Sequence, residues 1–159
     1  MTKGVIVALS ILQVWSPCMA DPKEDVEKLM NEGVGFADQM LREHGEFHPY
    51  GSAMTPQGEI VSVAASDGTE LPPSTDLIEL LKGGLRQAVE ERKYKATAIF
   101  YDVRVELPDG SGRSDAIAAA LDHEDNYSVI VFFPYKLEAS NLEYGGLFAA
   151  PGENDVFGE

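Results

Sequence analysis

Chemistry in this chain would have to be built around few residues. There are three histidines. His44 and His48 are four apart, a spacing that puts two metal ligands on one helix face, but Gly45 and Pro49 break the helix that would do so. His123 sits in Asp122-His123-Glu124-Asp125, where an extended segment enters a turn and neighbours point to opposite faces. Zinc needs three or four converging ligands. The pattern makes a solvated turn instead, and no metal or cofactor is expected. A serine hydrolase would show a Gly-x-Ser-x-Gly elbow, whereas Gly110-Ser111-Gly112 reads as a turn. Neither a Walker motif nor a Gly-x-Gly-x-x-Gly fingerprint is present. Two carboxylates across a cleft suffice for glycoside hydrolysis, but 27 acids single out no pair. No catalytic residue is assigned.

One internal echo stands out. Phe47-His48-Pro49-Tyr50 and Phe132-Phe133-Pro134-Tyr135 share the form Phe-x-Pro-Tyr. Proline cannot donate to a sheet ladder, so each copy marks a place where pairing stops. Tyrosine offers a large apolar face and a hydroxyl, which suits recognition. His48, Tyr50, Phe133 and Tyr135 are therefore the candidate binding residues. The alternative is that both pieces plug one end of the core.

The elements that must position them follow from periodicity. Asp21 as N-cap, Pro22 at the first helical position and Glu24 open a helix. Val26, Leu29, Met30, Gly33, Ala37, Met40 and Leu41 form its apolar stripe, and Gly45 ends it. Residues 47–55 and 59–65 read as a strand pair about Pro56-Gln57-Gly58, closed by Ser66-Asp67-Gly68. Leu71-Pro72-Pro73 connects to a second helix capped by Asp76 and Glu79. Its face is Leu77, Ile78, Leu81, Leu85, Ala88 and Val89. Gly83-Gly84 inside it reads as a close-packing point or a kink, since each glycine costs about 1 kcal/mol against alanine. Strands at 97–106, 115–123 and 127–135 have short links and form an antiparallel meander. In the first of these, Ile99, Tyr101, Val103 and Val105 are expected to face the helices, leaving Asp102 and Arg104 to solvent.

The fold class is α+β: a five-stranded antiparallel sheet with two helices on one face, in the order α-β-β-α-β-β-β. This order resembles the profilin-like and roadblock-like folds over residues 21–135, in topology and not in any motif. The resemblance implies the strand order 2-1-5-4-3. Strand 1 would then lie beside strand 5, and the two Phe-x-Pro-Tyr pieces would meet at one end of the sheet.

Lys3, an apolar run from Val5 to Trp15 and Ser16-Pro17-Cys18-Met19-Ala20 have the three-part layout of a secretory signal with cleavage after Ala20. Residues 1–20 are thus expected to be a signal peptide, 21–150 a single domain and 151–159 an acidic tail, with Val156 and Phe157 available to tie it down. Cys18 is the sole cysteine, so the exported part carries no disulfide. Trp15-Ser16-Pro17 before it is too bulky and stiff for a favoured lipidation site. The net charge is −15, which argues against nucleic acid and anionic membranes. No later stretch is long and apolar enough for stable membrane insertion. The sequence points to an exported, periplasmic or extracellular, acidic binding or accessory protein without catalysis, whose partner is a protein and basic. The alternative is a small exported hydrolase or ligand-binding sensor with its site at the aromatic end of the sheet, His123 in reserve as a base.

Overall fold

The computed structural model describes residues 21–66, 68–70 and 72–158. The expected signal peptide, the turn residue Asp67 and the start of the connector at Leu71 lie outside the described residues. Helix α1 spans Pro22–His44. Its N-cap Asp21 accepts a hydrogen bond from the Lys23 N–H at 3.0 Å. Gly45 ends it with φ of 77°, and its N–H donates to the Leu41 carbonyl. That left-handed turn is the conformation glycine tolerates without cost.

Strands β1 (Tyr50–Met54) and β2 (Ile60–Val63) precede helix α2 (Ser74–Glu90). Strands β3 (Ala96–Glu106), β4 (Arg113–His123) and β5 (Tyr127–Glu138) form the expected meander, and short strands β6 (Asn141–Tyr144) and β7 (Phe148–Pro151) follow. All neighbours are antiparallel. The molecule is α+β, but the sheet has seven strands, in the order β2-β1-β3-β4-β5-β6, with β7 also on β5. β6 pairs with residues 135–138 of β5 and β7 with residues 129–132, so they share one edge end to end.

Two expectations are corrected by this arrangement. β1 lies beside β3, with Tyr50 opposite Phe100, so the implied order 2-1-5-4-3 does not form. The two helices also cover opposite faces. α1 packs Val26, Leu29, Ala37 and Leu41 onto Ala98, Phe100, Ile117, Ala119 and Leu121. α2 packs Leu81 and Leu85 onto Ala53 and Ile99, joined by Val156 of the tail. The physical reason is visible in β3 and β4. Residues 96–100 and 116–119 are buried without a break, the mark of strands covered on both sides. Ile99 and Tyr101 do face a helix, but so do Ala98 and Phe100. The Tyr135 hydroxyl donates to Asp102 at 2.9 Å, and Arg104 pairs with Asp115 at 3.0 Å.

The glycines divide differently from the expectation. A Cβ at Gly83 or Gly84 would meet nothing within 4 Å, so neither is a packing point. Inside a helix the close approach is at Gly33, where a Cβ would come within 2.3 Å of Phe100 Cζ.

Candidate functional site

The first Phe-x-Pro-Tyr piece lines a groove; the second does not join it. Tyr50 opens β1, directly after Pro49 ends the incoming loop. Its ring stacks on buried Phe100 with centroids 4.9 Å apart. Phe36 of α1 meets it edge-on at 4.8 Å, and Phe47 stands 6.0 Å away. Such pairs each contribute about 0.5–1.5 kcal/mol beyond area burial.

The Tyr50 hydroxyl enters the backbone of α1. It donates to the Gly33 carbonyl at 2.6 Å and accepts from the Ala37 N–H at 3.1 Å. These two groups are four residues apart, the donor and acceptor of one α-helical turn. Burial pushes the Tyr50 phenol well above its ordinary pKa, against a smaller lowering by the Ala37 N–H. The hydroxyl is a fixed neutral peg, not a proton donor for chemistry. Because the Gly33 and Ala37 groups can pair directly once it is gone, Tyr50→Phe is expected to cost only about 1 kcal/mol, measured by urea unfolding, and to leave the ring stack in place.

Over Tyr50 lies an open groove of about 530 Å³, walled by α1 through Phe36, Met40 and His44 and by the connector after β2. His48 lines it and is exposed. Glu46 and Glu70 give its rim negative charge. Phe36 is 50% exposed. Spacing does not single it out: Phe36 falls three residues after Gly33 and four before Met40, at the edge of the apolar stripe, where a side chain can be left half-exposed.

Phe133 and Tyr135 sit elsewhere. Along the sheet rows, Tyr50 aligns through Phe100 and Ala119 with Val131. Tyr135 is four residues further along β5, with β3 and β4 between. Phe133 lines a shallow depression with Val34, Asp38, Tyr144 and Leu147. Tyr135 is buried, and its phenol is pushed up first by burial and then by the charge of Asp102. The expected meeting of the two echoes is absent because β1 has β3 as its neighbour. The hydrolase or sensor reading drew its site from that meeting.

His123 is not part of a solvated turn. It is 2% exposed. Its Nδ1 accepts from the Asp125 N–H at 3.0 Å. The proton therefore belongs on Nε2, which donates to Asp25 Oδ2 at 3.1 Å. The same oxygen lies 2.7 Å from Lys95 Nζ. Burial raises the Asp25 pKa, but hydrogen bonds from Lys95 and His123 outweigh it and hold the carboxyl below its usual value. Both imidazole nitrogens are used inside the protein. The cluster fastens the first turn of α1 to the start of β3 and the end of β4. No local pattern signals the partnership, since 98 residues separate Asp25 from His123. Among the described residues, no group of three or more His, Cys, Asp or Glu side chains is placed to hold a metal ion. No described helix is long and apolar enough to cross a membrane.

Fold and site together define a layered α+β domain with an antiparallel sheet between two helices and an acidic-rimmed aromatic groove at one end. Compared with protein-family models, characterised proteins and solved structures, the chain matches none.

Proposed function

We propose that this is an exported, acidic, non-catalytic binding protein that captures a basic protein partner, seating an apolar side chain of that partner over Tyr50. The observation that carries the reading is Phe36. It is a large aromatic, half-exposed, braced edge-on against a partly buried tyrosine, at the wall of a groove with Glu46 and Glu70 on its rim. Rigid aromatic anchors in a partly desolvated groove are what protein recognition uses most. The surrounding charge suits a partner whose apolar anchor is flanked by Lys or Arg, and it would speed encounter. Export rests on the N-terminal pattern of Lys3, the apolar run and the small residues before Asp21, and it places the protein in the periplasm or outside the cell.

The test is retention of a partner from extract of the protein's own compartment, with identification by mass spectrometry and then purified binding. One basic partner is expected, held at low salt and weakened at 0.5 M salt, roughly, where surface charges are screened within a few ångströms. Phe36→Ala is expected to weaken it by about 30-fold, the roughly 2 kcal/mol of an aromatic hot spot. Retention unaffected by both salt and Phe36→Ala would end the proposal.

A further inference from the structure

One edge of the sheet is open, and the groove reading does not use it. β2 ends the strand order. In the hairpin that joins it to β1, the Thr55 N–H donates to the Glu59 carbonyl at 2.8 Å. Bonded and unbonded pairs alternate along an antiparallel ladder, so the bonded pairs that follow are Ala53 with Val61 and Gly51 with Val63. Met54 agrees with this phase: its carbonyl accepts from the Lys95 N–H at 2.9 Å, on the β3 side. The N–H and C=O groups of Ile60, Ser62 and Ala64 therefore point outward, and no described strand or loop pairs with them. Free edges are usually guarded by Lys, Pro or a break in the strand. The opposite edge is guarded in this way, being split into β6 and β7 around Gly145-Gly146, with Pro151 in β7. By contrast, Ile60 to Ser66 contains no proline and no charge, in a chain of which 25% is charged. Ile60 packs on the α1 core and Val61 and Val63 on the α2 core, which holds the edge in place. The Ser62 side chain is exposed.

We propose that β2 pairs with β2 of a second copy of this chain, antiparallel about a two-fold axis at Ser62. The edge fits itself in that register. The bonded pairs are Ser62 with Ser62 and Ile60 with Ala64, and Val61 meets Val63 between them. Paired β-branched residues and paired hydroxyls both support an antiparallel ladder. Glu59 falls opposite Ala65, so no acid faces an acid at the seam, although each chain carries a net charge of −15. An uncharged edge offers nothing to a basic segment, which is why a second copy suits it better than the groove's partner does. A two-fold contact uses both β2 edges at once, so pairing stops at a dimer. Ala65 also lines the groove over Tyr50. On the groove reading, Glu59 of the partner subunit adds one acid to each rim; the dimer itself does not rest on that reading.

The test is sedimentation equilibrium of the purified protein over a range of concentrations. A monomer–dimer equilibrium is expected, with no larger species. Because two acidic copies repel, association is expected to tighten about 3-fold or more between roughly 0.05 M and 0.5 M salt, the reverse of the salt effect on the groove's partner. Ser62→Pro is expected to weaken it by about 10-fold or more. β1 does not use the Ser62 N–H, and an edge strand accepts proline where its N–H faces outward, so the monomer keeps its fold. Should that variant not fold, Ser62→Lys and Ser62→Glu serve, since each sets like charges opposite one another across the axis. Either alone is expected to be monomeric, and an equal mixture of the two to form the dimer again. Phe36→Ala is expected to leave self-association unchanged. A protein monomeric at every concentration and salt, open-ended larger species, or a dimer indifferent to all the changes at Ser62 would overturn the inference, whatever the groove binds. Capture of a basic partner lost in Ser62→Pro, from a wild type that is monomeric, would give the edge to that partner and overturn it as well.

Discussion

Replacing Asp25 by alanine is expected to destabilise the protein by about 3 kcal/mol, measured by urea unfolding at pH 7. The variant leaves Lys95 and His123 facing each other without their shared acceptor, and breaking a buried pair from one side costs about 3–5 kcal/mol. The lower end applies because Asp25 and Lys95 keep slight exposure. The pH dependence separates this from simple loss of packing. The Asp25 pKa is lower folded than the ordinary 3.8. A carboxyl held low contributes stability that is complete above its unfolded pKa and is lost as pH falls through its folded pKa. The gap between wild type and Asp25→Asn is therefore expected to stay constant from about pH 7 to 5 and to shrink below pH 3.8. A gap that widened on acidification would contradict the assignment of Asp25 as an ionised acceptor.

Gly33→Ala is expected to lower stability by about 2–3 kcal/mol, although alanine in place of a helical glycine ordinarily gains about 1 kcal/mol. The new methyl would lie 2.3 Å from Cζ and 2.4 Å from Cε2 of Phe100. That ring is fully buried and stacked on Tyr50, which is itself bonded to the Gly33 carbonyl. The ring has no free direction in which to yield. Phe100→Leu supplies room, so the same Gly33→Ala change is expected to cost less than about 1 kcal/mol in that background. A double-mutant cycle by chemical unfolding measures the coupling. Equal costs in both backgrounds would show that the glycine answers to something other than Phe100.

Local signals carried much of the fold. Asp21-Pro22 and Gly45 mark α1 to the residue because caps are chemical, and the alternation with tight turns marks the β3–β5 meander. Neighbour choice was not legible. The pattern of β1 tells which side chains share a face, and that is the same whether β3 or β5 lies alongside. The resemblance-led order therefore brought Tyr135 to Tyr50, and the structure separates them. Coverage of both sheet faces was legible and was missed: residues 96–101 and 116–121 are apolar or small almost without interruption, not alternating. β6 and β7 are four residues each, too short for a period to show. The groove over Tyr50 was half legible, through His48 and Tyr50. Phe36 comes from another element, and its connection to Tyr50 exists only once α1 crosses β1.

The groove reading is tested most directly by placing a photoreactive phenylalanine analogue at Phe36 and, separately, at Leu80. Both positions are exposed, 50% and 45%, but Leu80 lies on α2 and does not line the groove. Illumination in extract of the protein's own compartment is expected to give one basic protein joined at position 36, not at 80, with the yield falling as salt rises. Equal joining at both positions, or none at 36, would contradict the account.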